Sequence, residues 1–177
     1  MKNLMVLFLL AVLTMPVFAQ DQAAARAAAG CGPDNVEFDV KTDKKQHSEM
    51  TPEVGKALVY VFEEERLDPG FVIGAVTTRI GLDGQWVGAN HGKSHFAFPV
   101  DPGDHNLCTG WQSSLGFRSK LASAASLTAE AGKVYYFQTK VDEREHDRPA
   151  VKLEAVDPAE GKLLLAESSQ STSHPKK

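Results

Sequence analysis

The chain is short of the features that usually betray a chemistry. It holds two cysteines in 177 residues and no C-x-x-C spacing, so the pattern of a zinc ribbon or a thioredoxin-like pair is missing. Basic residues are not in excess: 19 Lys and Arg stand against 23 Asp and Glu, a formal charge of −4. Nucleic acid and anionic bilayers both call for a clustered positive surface, so neither is expected as the main partner. Serines are plentiful (Ser113, Ser114, Ser119, Ser123), yet none stands in a G-x-S-x-G elbow. Carboxylates occur side by side only as charge runs, Glu63-Glu64-Glu65 and Asp142-Glu143-Arg144-Glu145, which read as solvated strand ends or turns. No catalytic residue and no cofactor is expected.

What the chain does have begins with a hydrophobic leader. Lys2 supplies a positive start, Leu4 to Val17 is apolar apart from Thr14 and Pro16, and Val17-Phe18-Ala19 gives a small-x-small cleavage pattern. The run falls short of the about 18–20 apolar residues of a membrane span. We expect residues 1–19 to be a cleaved signal peptide, leaving no stable membrane span. The protein is then exported: periplasmic, associated with the outer envelope, or secreted. The other readings are an uncleaved anchor, or lipidation of Cys31 in the lipobox-like Ala28-Ala29-Gly30-Cys31. A lipobox, however, abuts the apolar core, and Cys31 lies well beyond it. In an oxidising space the two cysteines most simply join as Cys31–Cys108.

Residues 20–34 form an Ala-rich tether with no broad apolar face, and residues 35–167 read as a single domain. Val36, Phe38 and Val40 alternate with Glu37 and Asp39 as a half-buried strand. In 56–63, Leu58, Tyr60 and Phe62 share one face, and Ala57, Val59 and Val61 the other. Both faces are apolar, which predicts a central strand covered on both sides. Asp83-Gly84 between two β-rich runs is a hairpin signal, because a type I′ turn needs φ > 0 at both central residues. Further strands are expected over 94–100, 105–111, 134–141 and 151–156, with Pro99 marking an edge or strand end; 121–129, whose alanines suit a helix, is read as a strand from its setting between turns. Asp157-Pro158-Ala159-Glu160 reads as an N-cap, Pro at N1 and a first-turn acid, so a short helix follows to about Ala166. Residues 168–177 are polar and expected to be a disordered tail. Regularly spaced strands with turns between them predict an all-β, antiparallel β-sandwich with a short C-terminal helix.

Four stretches resemble a known family. Gly55-Lys56-Ala57-Leu58-Val59-Tyr60-Val61-Phe62 resembles the opening strand of the bacterial exported domain of unknown function DUF2846. Ile80 to Gly88 is similar to its Asp-Gly hairpin, Val100 to His105 to its Pro-Gly-x-His turn, and Ala129 to Tyr136 to its Gly-Lys-x-Tyr-Tyr strand. The resemblance implies an immunoglobulin- or transthyretin-like sandwich and carries no catalytic residues with it.

Two constellations merit weighing. Trp86, Trp111 and Gln112 supply aromatic faces and an amide of the kind that stack on and grip a sugar; the alternative is that both rings are core or cross-strand residues. His91, His95 and His105 are close enough in sequence to suggest a metal, although turns flank His91 and His105, and a zinc site needs three or four convergent ligands. The expectation is a non-enzymatic exported module that binds a protein or envelope polymer, with a carbohydrate- or peptidoglycan-binding domain and a metal-binding protein as alternatives.

Overall fold

Alternating apolar residues and glycine turns produce the strands almost where the periodicity places them. The computed structural model describes residues 29–45, 49–67, 76–113, 120–143 and 148–177; the leader and most of the tether lie outside them. In chain order the elements are β1 (Phe38–Asp43), β2 (Ala57–Leu67), β3 (Thr77–Leu82), β4 (Gln85–His91), β5 (Ser94–Val100), β6 (Gly103–Gln112), β7 (Ala122–Ala129), β8 (Val134–Glu143), β9 (Ala150–Val156), α1 (Pro158–Glu167) and β10 (Ser169–Pro175). They form two sheets, β1-β10-β5-β2-β8-β9 and β4-β3-β6-β7. Among the described residues the fold is an all-β sandwich with one short helix near its C-terminal end.

β2 is central, between β5 and β8. One face, Ala57, Val59 and Val61, packs with Phe98, Val100 and Phe137 against Ile80, Leu107 and Leu127 of the smaller sheet. The opposite face, Leu58, Tyr60 and Phe62, packs with Tyr136 under Leu165 of α1. The Asp157 carboxylate caps α1 by accepting from the N–H groups of Ala159 and Glu160 at 2.9 and 3.1 Å, a contact worth about 1 kcal/mol. Gly161 lies flat on the Tyr136 ring, where a Cβ would collide with it. The Asp83-Gly84 turn has φ of 50° and 86°, both positive as the hairpin requires.

Two expectations are corrected. The larger sheet is not purely antiparallel: β2–β8 and β10–β5 run parallel. Parallel neighbours need a crossover, which the whole smaller sheet supplies between β2 and β8. The second correction concerns residues 168–177, which are not a disordered tail. Ser169–Pro175 is β10, antiparallel to β1 from Phe38↔Pro175 to Asp43↔Gln170 and parallel to β5 at Ser169↔Ser94 and Gln170↔His95. Hydroxyl hydrogen bonds hold this strand in place of apolar burial. Ser171 Oγ donates to Ser94 Oγ at 2.7 Å, and Ser173 Oγ accepts from the Ala89 N–H at 3.0 Å. Because β10 flanks β5 only at Ser94 and His95, Pro99 has a strand neighbour on its β2 side alone, as at the edge positions where a proline is tolerated.

Candidate functional site

Cys31 and Cys108 form a disulfide with Cα atoms 5.0 Å apart. A sulfur in that bond has no valence left for a lipid thioether. The bond fastens the segment before β1 across the outer face of the smaller sheet. Beside it, Arg79 donates to the carbonyls of Asp34 and Val36 at 3.1 and 3.0 Å. Its guanidinium lies 4.6 Å from the centre of the Trp86 ring, a cation–π contact. Trp86 Nε1 donates to the Pro33 carbonyl at 2.7 Å, and Gly32 packs so close to the indole that a Cβ there would overlap it.

The remaining sugar-binding candidates are occupied in a similar way. Trp111 is 4% exposed and packs with Val76, Val141 and Val151. The Gln112 amide accepts from the Phe38 N–H at 2.7 Å and donates to the Phe38 carbonyl at 2.9 Å. It stands in for a neighbouring strand at the start of β1. Trp86, Trp111 and Gln112 are thus placed apart from one another in role, each tied to the body of the fold.

The three histidines do not converge. His91 Nδ1 meets Thr77 Oγ1 at 2.8 Å on the smaller sheet. His95 is buried under α1, its Nδ1 2.9 Å from Ser168 Oγ, which itself donates to the Leu164 carbonyl at 2.7 Å. With its hydrogen spent on Leu164, Ser168 accepts, so His95 carries its proton on Nδ1. His105 joins two turns: Nδ1 to Asp83 Oδ2 at 2.6 Å and Nε2 to the Asp101 carbonyl at 2.8 Å. Burial pulls its pKa down, but Asp83 and the Asp101 carbonyl outweigh burial and hold it above the ordinary histidine value. Burial likewise pulls Asp83 up, while the Asn106 N–H and His105 hold it below the usual carboxylate range. Among the described residues no group of three or more His, Cys, Asp or Glu is placed to hold a metal ion.

A cleft of about 700 Å³ opens between α1 and the outer face of the larger sheet. Phe62 and Gln138 line it from β2 and β8, Leu164 from the helix, and Glu64, Lys93 and Lys140 add charge. Lys93 pairs with Glu167 at 3.2 Å, and Lys140 with Glu154 at 2.8 Å. Deeper along the same face, Tyr60 and Tyr136 stack at 5.6 Å. Burial, reinforced by the Glu49 carboxylate, pushes the Tyr136 phenol up to about 12.

The Glu63-Glu64-Glu65 run is not the solvated strand end that its charge suggests. β2 continues through it to Leu67, and strand alternation splits the run between faces. Glu63 is turned into the sandwich and is 3% exposed, whereas Glu64 is half-buried at the cleft. Glu63 Oε2 accepts from Thr78 Oγ1 at 2.5 Å. Beside that contact Asn90 Nδ2 donates to the Val61 carbonyl at 2.8 Å, and Thr139 Oγ1 donates to Thr109 Oγ1 at 3.2 Å. Each of these bonds crosses from one sheet to the other, making a buried polar belt between the apolar core and the smaller cluster around Trp111. Burial pushes the Glu63 carboxyl well above the ordinary range; the Thr78 bond opposes this, and the Glu65 carboxylate adds to it. Glu65 Oε1 in turn accepts from the Val76 N–H at 2.6 Å. The belt was open to sequence reasoning only through Glu63 and Glu65 standing two apart in an otherwise apolar strand.

The fold and these sites define the chain as a disulfide-tied, two-sheet β module carrying a polar cleft beneath its helix. No family model matches the chain, and no curated protein or solved structure matches it either. Among the described residues no helix is long and apolar enough to cross a membrane.

Proposed function

We propose that this protein is an exported, non-enzymatic β-sandwich module that binds a protein or cell-envelope partner through the cleft between α1 and the larger sheet. The observation that carries this reading is the cleft itself. It is open, about 700 Å³ in volume, and is lined mainly by polar and charged groups of both signs with Phe62 and Leu164 among them, a surface suited to holding a polar partner segment.

The histidines nearest to catalytic use have structural duties instead. His95 is committed to Ser168, and His105 to Asp83 and Asp101, so neither stands as a base beside a free nucleophile. The buried Cys31–Cys108 bond supports an oxidising compartment. Kinship with DUF2846 belongs to the same proposal. The four resembling stretches fall on β2, the β3–β4 hairpin, the β5–β6 turn and the β7–β8 turn, positions where backbone geometry constrains residue choice. The carbohydrate alternative lacks a comparable footing, since Trp111 is buried and Gln112 is spent on Phe38.

A photo-crosslinking residue at Glu64, compared with one at the exposed Ser126 on the outer face of the smaller sheet, tests the reading in cells. The expected result is a discrete envelope-fraction adduct from position 64 and none from 126. Equal labelling at both positions, or a mature chain retained in the cytosol, would sink it. Turnover of any ester, peptide or glycoside by the purified protein would overturn its non-enzymatic half.

A further inference from the structure

The polar belt contains two oxygens that the protein itself does not satisfy. Among the described residues, Glu63 Oε1 and Asn90 Oδ1 are fully buried side-chain oxygens without a hydrogen-bond partner. Buried acceptors of this kind are rare enough in folded proteins to require an explanation.

The two belong to one place. Asn90 sits directly opposite Thr78 in the β3–β4 register, and Thr78 is the residue bonded to Glu63. The Asn90 amide also reaches the Val61 carbonyl, two residues before Glu63 on β2. That carbonyl accepts only, so the amide must turn its NH₂ towards it and its Oδ1 away.

We infer that a single buried water molecule bridges Glu63 Oε1 and Asn90 Oδ1 and completes the belt between the two sheets. Counting hydrogens supports a water over a direct contact. The Thr78 hydroxyl hydrogen is on Glu63 Oε2, and the Thr139 hydrogen is on Thr109. A neutral Glu63 brings one O–H, which the neighbouring Glu65 carboxylate can also accept; an ionised Glu63 brings none. Water serves either state. It donates to both oxygens when Glu63 is charged or when a neutral Glu63 gives its proton to Glu65, and it otherwise accepts from Glu63 while donating to Asn90. Leaving buried oxygens unpaired costs more than immobilising one water, and the site offers the polar partners that such a water requires.

An atomic-resolution crystal structure of the mature chain, with water-to-protein NOE and ROE spectra in solution, tests the inference. The expected result is one ordered peak at hydrogen-bond distance, about 2.7–3.2 Å, from both oxygens, together with a long-lived water cross-peak to the Thr78 and Asn90 side chains. Glu63→Gln should keep that water and Asn90→Leu should lose it. Should the leucine variant fail to fold, the unmodified protein decides alone. Glu63 Oε1 in direct contact with Asn90 or bonded to Glu65 instead of a water, a metal ion at the position, or two oxygens with nothing between them would each overturn the inference.

Discussion

Breaking the Cys31–Cys108 bond is the most quantitative perturbation the fold offers. The bond closes a span of 77 residues. In the chain-entropy treatment a loop of that length restricts the unfolded chain by about 15 cal/mol/K, or about 4.5 kcal/mol at 25 °C. For a chain of this size that corresponds to a melting temperature lower by roughly 9–18 °C. Both sulfurs are buried, so alanine variants would add a packing loss to the entropic one. The cleaner comparison unfolds the oxidised chain and then refolds it in reductant, leaving every atom but the bond in place. Urea titrations of the two forms, followed by tryptophan fluorescence, should differ by about 4 kcal/mol. The reduced form should still dock its N-terminal segment, because the Arg79 and Trp86 contacts to Asp34, Val36 and Pro33 do not involve sulfur. A difference below about 1 kcal/mol would refute the reasoning, since the loop would then not be the dominant constraint.

Other perturbations test separate parts of the structure. Gly161→Ala should cost about 1–3 kcal/mol by driving a methyl into the Tyr136 ring, read as a lower urea midpoint; an unchanged midpoint would mean that α1 does not lie on that ring. Glu63→Gln tests the buried carboxyl. Its folded pKa is raised, so its share of stability is complete below the unfolded value and falls as pH rises towards the folded one, by up to about 1.4 kcal/mol per pH unit. The glutamine variant should therefore gain on the parent as pH rises above the ordinary carboxylate range, and parallel stability profiles would contradict the burial. Deleting residues 169–177 should lower stability by about 2 kcal/mol or more, as it removes the Ser171–Ser94 hydrogen bond and the β1 ladder and uncovers Ser94 and β1. A loose tail would be removed without a change in melting temperature.

Where side-chain chemistry acts locally, the fold was legible in the residues themselves. The Asp83-Gly84 hairpin, the Asp157 cap and the two apolar faces of β2 all follow from spacing or from a single turn residue. What eluded the reading depends on partners distant in sequence. β10 has the composition of a tail because it is held by Ser94 and Ala89, and periodicity registers apolar burial alone. Glu63 has the look of a surface charge because its neighbours are charged, yet alternation carries it inward to meet Thr78. Parallel pairing of β2 with β8 cannot be inferred from either strand, since it is the sheet between them that makes the crossover. Among the site residues, the cysteine pairing was legible from the count of two and the export that the leader leads one to expect. The roles of Gln112 and Trp86 were not, because each is defined by a backbone carbonyl from the segment around β1.

The way the chain's two ends are fastened decides how the domain would respond to being pulled. Phe38 and Pro175 face each other at one end of an antiparallel ladder, so tension applied to the C-terminus peels β10 from β1 one rung at a time, at low force. Tension entering from the N-terminal side meets the covalent link at Cys31 first and passes directly into β6. One end of the molecule would thus yield under load and the other hold, leaving the smaller sheet as the point of attachment.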